Sequence, residues 1–164
     1  MPETDYVIKE IKLVQEGVFD FKEVYNVVKG WFNLHKYDVF EKNYRETQRQ
    51  DDTKEIKIEF DSEKKIDQYI KYLINVDIKI NDHKIVQGPK GKRLVQGTLT
   101  IEIEAMLQSD FDAAWEGRPL AKFTRGLYDK FVRGDKYEEY KKELHDQGYE
   151  LYNELKAYLN LHKF

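Results

Sequence analysis

The feature that most constrains the fold is a long segment with alternating apolar and polar residues, IDQYIKYLINVDIKI at positions 66–80. Every even position from Ile70 to Ile80 is aliphatic or aromatic, whereas the odd positions are mostly polar or charged. Because successive side chains of a strand point to opposite faces, this pattern predicts one strand with one buried face. A strand of this length spans roughly 50 Å, so its apolar face needs a long partner surface.

Five other segments with the same period of two residues predict an antiparallel sheet of about six strands in all. The predicted strands cover 7–15, 37–46, 55–60, 66–80, 83–87 and 93–107. Polar turns are predicted at 61–65, at Asn81–Asp82 and at 88–91, because their residues favour turns or tolerate left-handed backbone angles. In the last strand the odd positions are apolar, so this face should continue the even face of the strand at 66–80.

Helical spacing appears on both sides of these strands. Asp20 and Glu23 form a capping box that predicts a helix over 20–35. Helical spacing returns from about 111, with Pro119 in a first turn, and the Arg-Gly-Asp sequence at 133–135 is interpreted as a corner between helices. The last predicted helix covers 136–161 and carries one stripe with Tyr140, Leu144, Gly148 and Leu151. At about 40 Å it is long enough to cover the apolar face of the sheet.

Together these elements predict an α+β fold with one domain over 1–164, in which a curved sheet wraps a long C-terminal helix. The element order, with the segments KKIDQYIKYLINVDIKI, GTLTIEIEAML, DFDAAWEG and LYDKF, resembles the helix-grip fold of the START-like superfamily (SRPBCC, polyketide cyclase-like), in particular an archaeal-type branch of it. The resemblance implies an apolar cavity between the sheet and the last helix, and a role in binding a ligand.

Composition excludes several classes of protein. The chain has 28 Lys and Arg against 31 Asp and Glu, a net charge of −3, which argues against general nucleic-acid binding. It has no cysteine, so no disulfide and no thiolate chemistry is expected. The N-terminal residues do not resemble a secretion signal, and no segment approaches the length of a membrane span, so we expect a cytoplasmic location.

No residue pattern indicates catalysis or a metal site, and we predict no cofactor. The four histidines have no metal-ligand spacing, so each is expected at the surface or at a helix cap. The two serines, Ser62 and Ser109, fall in predicted turns without a nucleophile motif. Glu102 and Glu104 share a strand face that we interpret as solvated, and GPKGKR at 88–93 lacks the features of a phosphate-binding loop, so we interpret it as a hairpin turn.

Tyrosine is unusually frequent, with 12 residues, and it combines a large ring with a hydroxyl that requires a partner. Packing explains most of the tyrosines, but Tyr72 and Tyr140 face the predicted interface between sheet and helix. If an apolar small molecule or lipid binds there, ten residues are predicted to contact it. These are Ile70, Tyr72, Ile74, Leu99, Ile101, Ile103, Tyr140, Leu144, Gly148 and Leu151.

Two alternatives to a ligand-binding protein remain at this point. The first is a non-enzymatic module with a filled core that binds another macromolecule through its outer surface, since the many large side chains could leave no void. The second is an enzyme related to cyclases or hydrolases, although no general acid or base stands out. A cavity above about 300 Å³ would favour the ligand site.

Overall fold

The computed structural model describes residues 3–48, 50, 54–109 and 133–163. The elements are β1 (Glu3–Phe19), α1 (Phe21–Leu34), β2 (Asp38–Gln48), β3 (Lys54–Lys65), β4 (Ile70–Gln87), β5 (Arg93–Ser109) and α2 (Arg133–Leu161), with a short 3-10 turn at Pro89–Gly91. The predicted α+β class and the C-terminal helix are confirmed. The segment 111–131, for which a helix was predicted, lies outside the described residues.

Within the described residues, five strands form one antiparallel sheet in the order β1-β5-β4-β3-β2. The register sets Ile74 opposite Ala105 and Ile78 opposite Ile101. Even positions of β4 and odd positions of β5 therefore share one face, as the two-residue period predicted. We call this the inner face; its residues from Ile70 to Ile80 on β4 are at most 2% exposed.

The predicted bounds of the longest strand were wrong at both ends. The strand begins at Ile70 because Asp67 forms a turn in which its carboxylate accepts from the backbone N–H groups of Tyr69 and Ile70, both at 2.7 Å. The prediction of a turn at 61–65 was also wrong, since these residues complete β3. Their polar side chains do not break the strand, because Glu63 pairs with Lys71 at 2.9 Å while buried Ser62 donates to the carbonyl of Ile74 at 2.6 Å.

The sheet has five strands rather than six because no turn separates 66–80 from 83–87. Asp82 does adopt a positive φ of 54°, but it lies in a β-bulge within β4. Two residues, Asp82 and His83, there oppose the single residue Gly97. A Cβ at Gly97 would lie 2.6 Å from the carbonyl oxygen of Asn81, so the close approach at this bulge requires glycine.

Register shifts in β1 explain its weak alternation. Between Tyr6 and Ile8, and again between Ile8 and Ile11, β1 contains one residue more than its partner β5. As a result, Ile8 and Ile11 are both buried although their spacing is three. The strand is therefore much longer than the predicted segment 7–15.

Both helices follow from local signals. Asp20 caps α1 by accepting a hydrogen bond from the backbone N–H of Glu23 at 3.3 Å, as predicted. The interpretation of residues 133–135 as a helix corner was wrong, since these residues form the first turn of α2. Gly134 is accommodated there, with no atom of the described residues within 4 Å of the position of a Cβ.

In the described residues, the core lies between the inner face and the helices α1 and α2. α2 packs against β5, β1 and α1, and Leu144, Leu151 and Leu155 on its stripe are fully buried. No helix in the described part of the chain is long and apolar enough to cross a membrane.

Candidate functional site

The inner face collects most of the ten residues predicted to contact a ligand. Tyr72 and Ile74 are completely buried, and Leu99, Ile101 and Ile103 are 1% exposed. From α2, Leu144 and Leu151 are completely buried, while Tyr140 is half-buried. The geometry thus brings the sheet residues and the helix stripe into one core, with Tyr140 at its margin.

Gly148 marks the closest approach of α2 to the sheet. A Cβ at this position would lie 2.6 Å from Cδ1 of Ile8 and 3.8 Å from Cβ of Ala105. Close packing of α2 on the sheet therefore explains this glycine. Ile8 fills the space in front of Gly148, so a ligand would have to lie elsewhere along the inner face.

A chain of hydrogen bonds joins the first half of α2 to the sheet and to the end of α1. The hydroxyl of Tyr72 donates to Glu143 at 2.8 Å, and that of Tyr37 donates to Gln147 at 2.5 Å. Nε2 of Gln147 donates in turn to the second carboxylate oxygen of Glu143 at 3.3 Å. We call these four residues the tyrosine–glutamate cluster; Glu143 itself is exposed at its rim.

The two tyrosines of this cluster remain protonated. Burial is the main reason why the pKa of Tyr72 is raised, and the hydrogen bond to Glu143 adds to it. Burial also raises the pKa of Tyr37, with a further contribution from the charge of Glu143. Both hydroxyls therefore remain donors, that of Tyr72 to Glu143 and that of Tyr37 to Gln147.

Tyr140 extends the cluster along the edge of α2. Its ring meets that of Tyr72 edge-on, with centroids 6.2 Å apart. The pKa of Tyr140 is raised by burial and by the neighbouring carboxylate of Asp67. The two tyrosines, each predicted to face the interface between sheet and helix, are thus in direct ring contact.

Sequence reasoning missed Tyr37, Glu143 and Gln147. Tyr37 was assigned to a strand, whereas it follows α1 and its ring lies 5.8 Å from that of Trp31. Glu143 and Gln147 each precede a residue of the α2 stripe by one position. One sequence signal could have identified Glu143 and Gln147. They are polar, lie four positions apart and adjoin the apolar stripe, so they share one side of the helix.

In the part of the chain that the structure describes, two further polar groups on this side of the molecule have no hydrogen-bond partner. They are the indole N–H of Trp31, whose side chain is 2% exposed, and the hydroxyl of Ser109, which is completely buried. Such groups are rare in proteins and call for a physical explanation. Ser109 was predicted in a turn, but it ends β5 on the inner face, opposite Ile70.

The histidines give no sign of a metal centre. No group of three or more metal-ligating side chains occurs among the residues described. His35 caps α1 as predicted, with Nδ1 donating to the carbonyl of Trp31 at 2.9 Å and its ring stacked on the indole. The predicted surface role is wrong for His83, which is 6% exposed. The bulge at Asp82 turns this odd position inward, and burial lowers the pKa of His83.

The opposite, outer face of the sheet is polar. Glu102 and Glu104 lie on it as predicted, and Glu104 accepts a hydrogen bond from Asn75 at 2.9 Å. The register sets Glu59, Asp77 and Glu102 directly opposite one another on three adjacent strands. Like charges in this arrangement destabilise a sheet. Burial and then the charge of Glu59 raise the pKa of Asp77.

Replacing Asp77 by asparagine is expected to stabilise the protein at neutral pH. Because the pKa of Asp77 is higher in the folded state, its ionisation opposes folding above that pKa, and this penalty disappears as the pH falls and the carboxyl group is protonated. Asp77→Asn should raise the free energy of unfolding by about 0.2–1 kcal/mol at pH 7, and by less at pH 4. Urea unfolding at both pH values measures this; a loss of stability at pH 7 would contradict it.

Comparison of the chain with protein-family models, with curated proteins and with solved structures found no match. The resemblance to the START-like superfamily therefore stays a prediction, and the function has to be argued from the geometry.

Proposed function

We propose that this protein binds an apolar small molecule or lipid between the inner face of the sheet and α2, in a helix-grip arrangement in which the sheet curves around the helix. The observation that carries the proposal is the tyrosine–glutamate cluster, which sets hydrogen-bonding groups at the edge of a mostly apolar, buried face. Ligand sites in proteins have this composition, with mostly apolar walls and a few polar groups that fix orientation.

The position of the proposed site is limited by the space that side chains of the core already fill. Ile8 occupies the space beside Gly148, so the ligand lies towards Tyr72 and the first half of α2. On the sheet it contacts Ile70, Tyr72 and Ile74, and its polar end meets Tyr72 and Glu143. Ile101 and Ile103 line the same face further along the strands.

Removing the hydroxyl of Tyr72 tests the proposed ligand site. Tyr72→Phe should weaken the binding of 1-decanol, used as a probe with an apolar chain and one hydroxyl, by about 0.5–1.5 kcal/mol, the usual net value of one hydrogen bond. Isothermal titration calorimetry of the purified full chain measures this change.

Tyr25→Phe is the matched control, because Tyr25 also donates to a glutamate, Glu41, at 2.7 Å, but lies beside β2 and away from the cluster. It should leave decanol affinity unchanged. If the two variants lose the same decanol affinity, the tyrosine–glutamate cluster is not part of the ligand site.

One observation favours the alternative, a macromolecule-binding module with a filled core. The direct contact between Ile8 and the backbone of α2 at Gly148 is what a filled core requires. If decanol and a neutral apolar dye such as Nile red both fail to bind, the protein acts through its surface. An enzyme is the weaker alternative, because Asp77, a carboxylate whose pKa is raised, lies on the outer face of the sheet, away from the inner face.

A further inference from the structure

The completely buried hydroxyl of Ser109 has no hydrogen-bond partner among the described residues, although it lies on the same face as Tyr72. Tyr72 is opposite Leu107, and Ser109 is two residues further along β5. Residues related in this way are diagonal neighbours on one face, about 7–8 Å apart. Ser109 and Tyr72 therefore lie at the same end of the inner face, where the hydroxyl of Tyr72 reaches Glu143 on α2.

The chemistry of these groups is complementary. The ionised carboxylate of Glu143 only accepts hydrogen bonds, whereas the hydroxyl of Ser109 can donate one. A ligand hydroxyl situated between them can donate to Glu143 and accept from Ser109, which satisfies both. A ligand carboxylate cannot donate to Glu143, and its charge is of the same sign.

Charges around this end support a neutral ligand. Besides Glu143, the carboxylates of Asp67 and Asp5 lie near Tyr140 and Tyr137. Among the described residues, the ammonium groups nearby are those of Lys64, over the ring of Tyr37, and Lys141, which lies 3.7 Å from Asp5. The excess of negative charge disfavours an anion, and the apolar walls disfavour a buried ammonium group because its desolvation is costly.

We infer that the ligand is a neutral, mostly apolar molecule with a hydroxyl group, and that Ser109 and Glu143 determine this specificity. The inference rests on the proposed function, because it names the ligand class of the same site. It accounts for the missing partner of Ser109, since the ligand hydroxyl supplies it.

The experiment is displacement of Nile red from the purified full chain by three ten-carbon amphiphiles: 1-decanol, decanoate and decylammonium. Decanol should displace the dye at a concentration at least about tenfold lower than either ion, consistent with a penalty for an unpaired buried charge. Ser109→Ala should raise the decanol concentration required by about three- to tenfold, as expected for the loss of one hydrogen bond. Glu143→Gln should bring the concentration of decanoate that displaces the dye closer to the concentration of decanol that does so.

Ser62→Ala is the matched control, because Ser62 is also a buried serine of the sheet but already donates to Ile74. It should leave the order of the three amphiphiles unchanged. Preference for decanoate or decylammonium, or equal decanol binding by the wild type and Ser109→Ala, would overturn the inference while leaving ligand binding in place. If neither the dye nor any amphiphile binds, the proposed function itself is wrong, and the inference falls with it.

Discussion

Leu151→Ala is expected to lower the free energy of unfolding by about 2–5 kcal/mol, the range for truncating a buried leucine. Leu151 is completely buried in the middle of the α2 stripe, at the level where the helix covers the sheet. Its removal takes away apolar contact and leaves a cavity that rigid strands cannot close. Urea denaturation, monitored by circular dichroism, measures the change.

The control for this prediction is Glu154→Ala on the same helix. Glu154 is exposed, and alanine suits a helix at least as well as glutamate, so a change below about 0.5 kcal/mol is expected. If Glu154→Ala lowers the free energy of unfolding more than Leu151→Ala does, the buried stripe has been assigned to the wrong side of α2.

Gly148→Leu is expected to destabilise the fold by about 1–3 kcal/mol or more, as overpacking of a filled site does. Even a Cβ here would lie 2.6 Å from Cδ1 of Ile8, and a leucine adds three more carbons. Shortening the neighbour should relieve the clash, so the double variant Gly148→Leu/Ile8→Ala should be more stable than the sum of the two single effects predicts. Thermal and urea unfolding of the four proteins form a double-mutant cycle.

Gly134→Leu provides the comparison for helix propensity, because no described atom lies within 4 Å of a Cβ at Gly134 on the same helix. It should be neutral or stabilising, since leucine favours a helix more than glycine does. A Gly148→Leu protein as stable as the wild type would show that the helix does not approach β1 at this point.

The faces of the long strands could be predicted from the sequence because they depend only on a period of two residues. Ile74 and Ile101 alternate with polar neighbours, and both are buried as that pattern requires. The prediction failed where the period is interrupted. The bulge at Asp82 moves His83 to the inner face, and nothing in a two-residue pattern distinguishes such a bulge from a turn.

The polar part of the site could be predicted only in part. Tyr72 and Tyr140 were found because they lie on predicted apolar stripes. Their partners were missed because the decisive contacts join distant parts of the chain: Tyr72 and Glu143 are 71 positions apart, and Tyr37 and Gln147 are 110 apart. A hydrogen bond across such separations leaves no local periodicity. The unpartnered hydroxyl of Ser109 is a property of burial, which becomes visible only in the folded chain.

The most direct test of the proposed function is native mass spectrometry of the protein purified from its own cells, without detergent. The account predicts a second species, heavier than the bare chain by the mass of a small molecule, which organic solvent releases and which extracts as a neutral, apolar compound with a hydroxyl group. A spectrum with only the bare chain, together with no binding of Nile red to the same preparation, would contradict a ligand site between the sheet and α2.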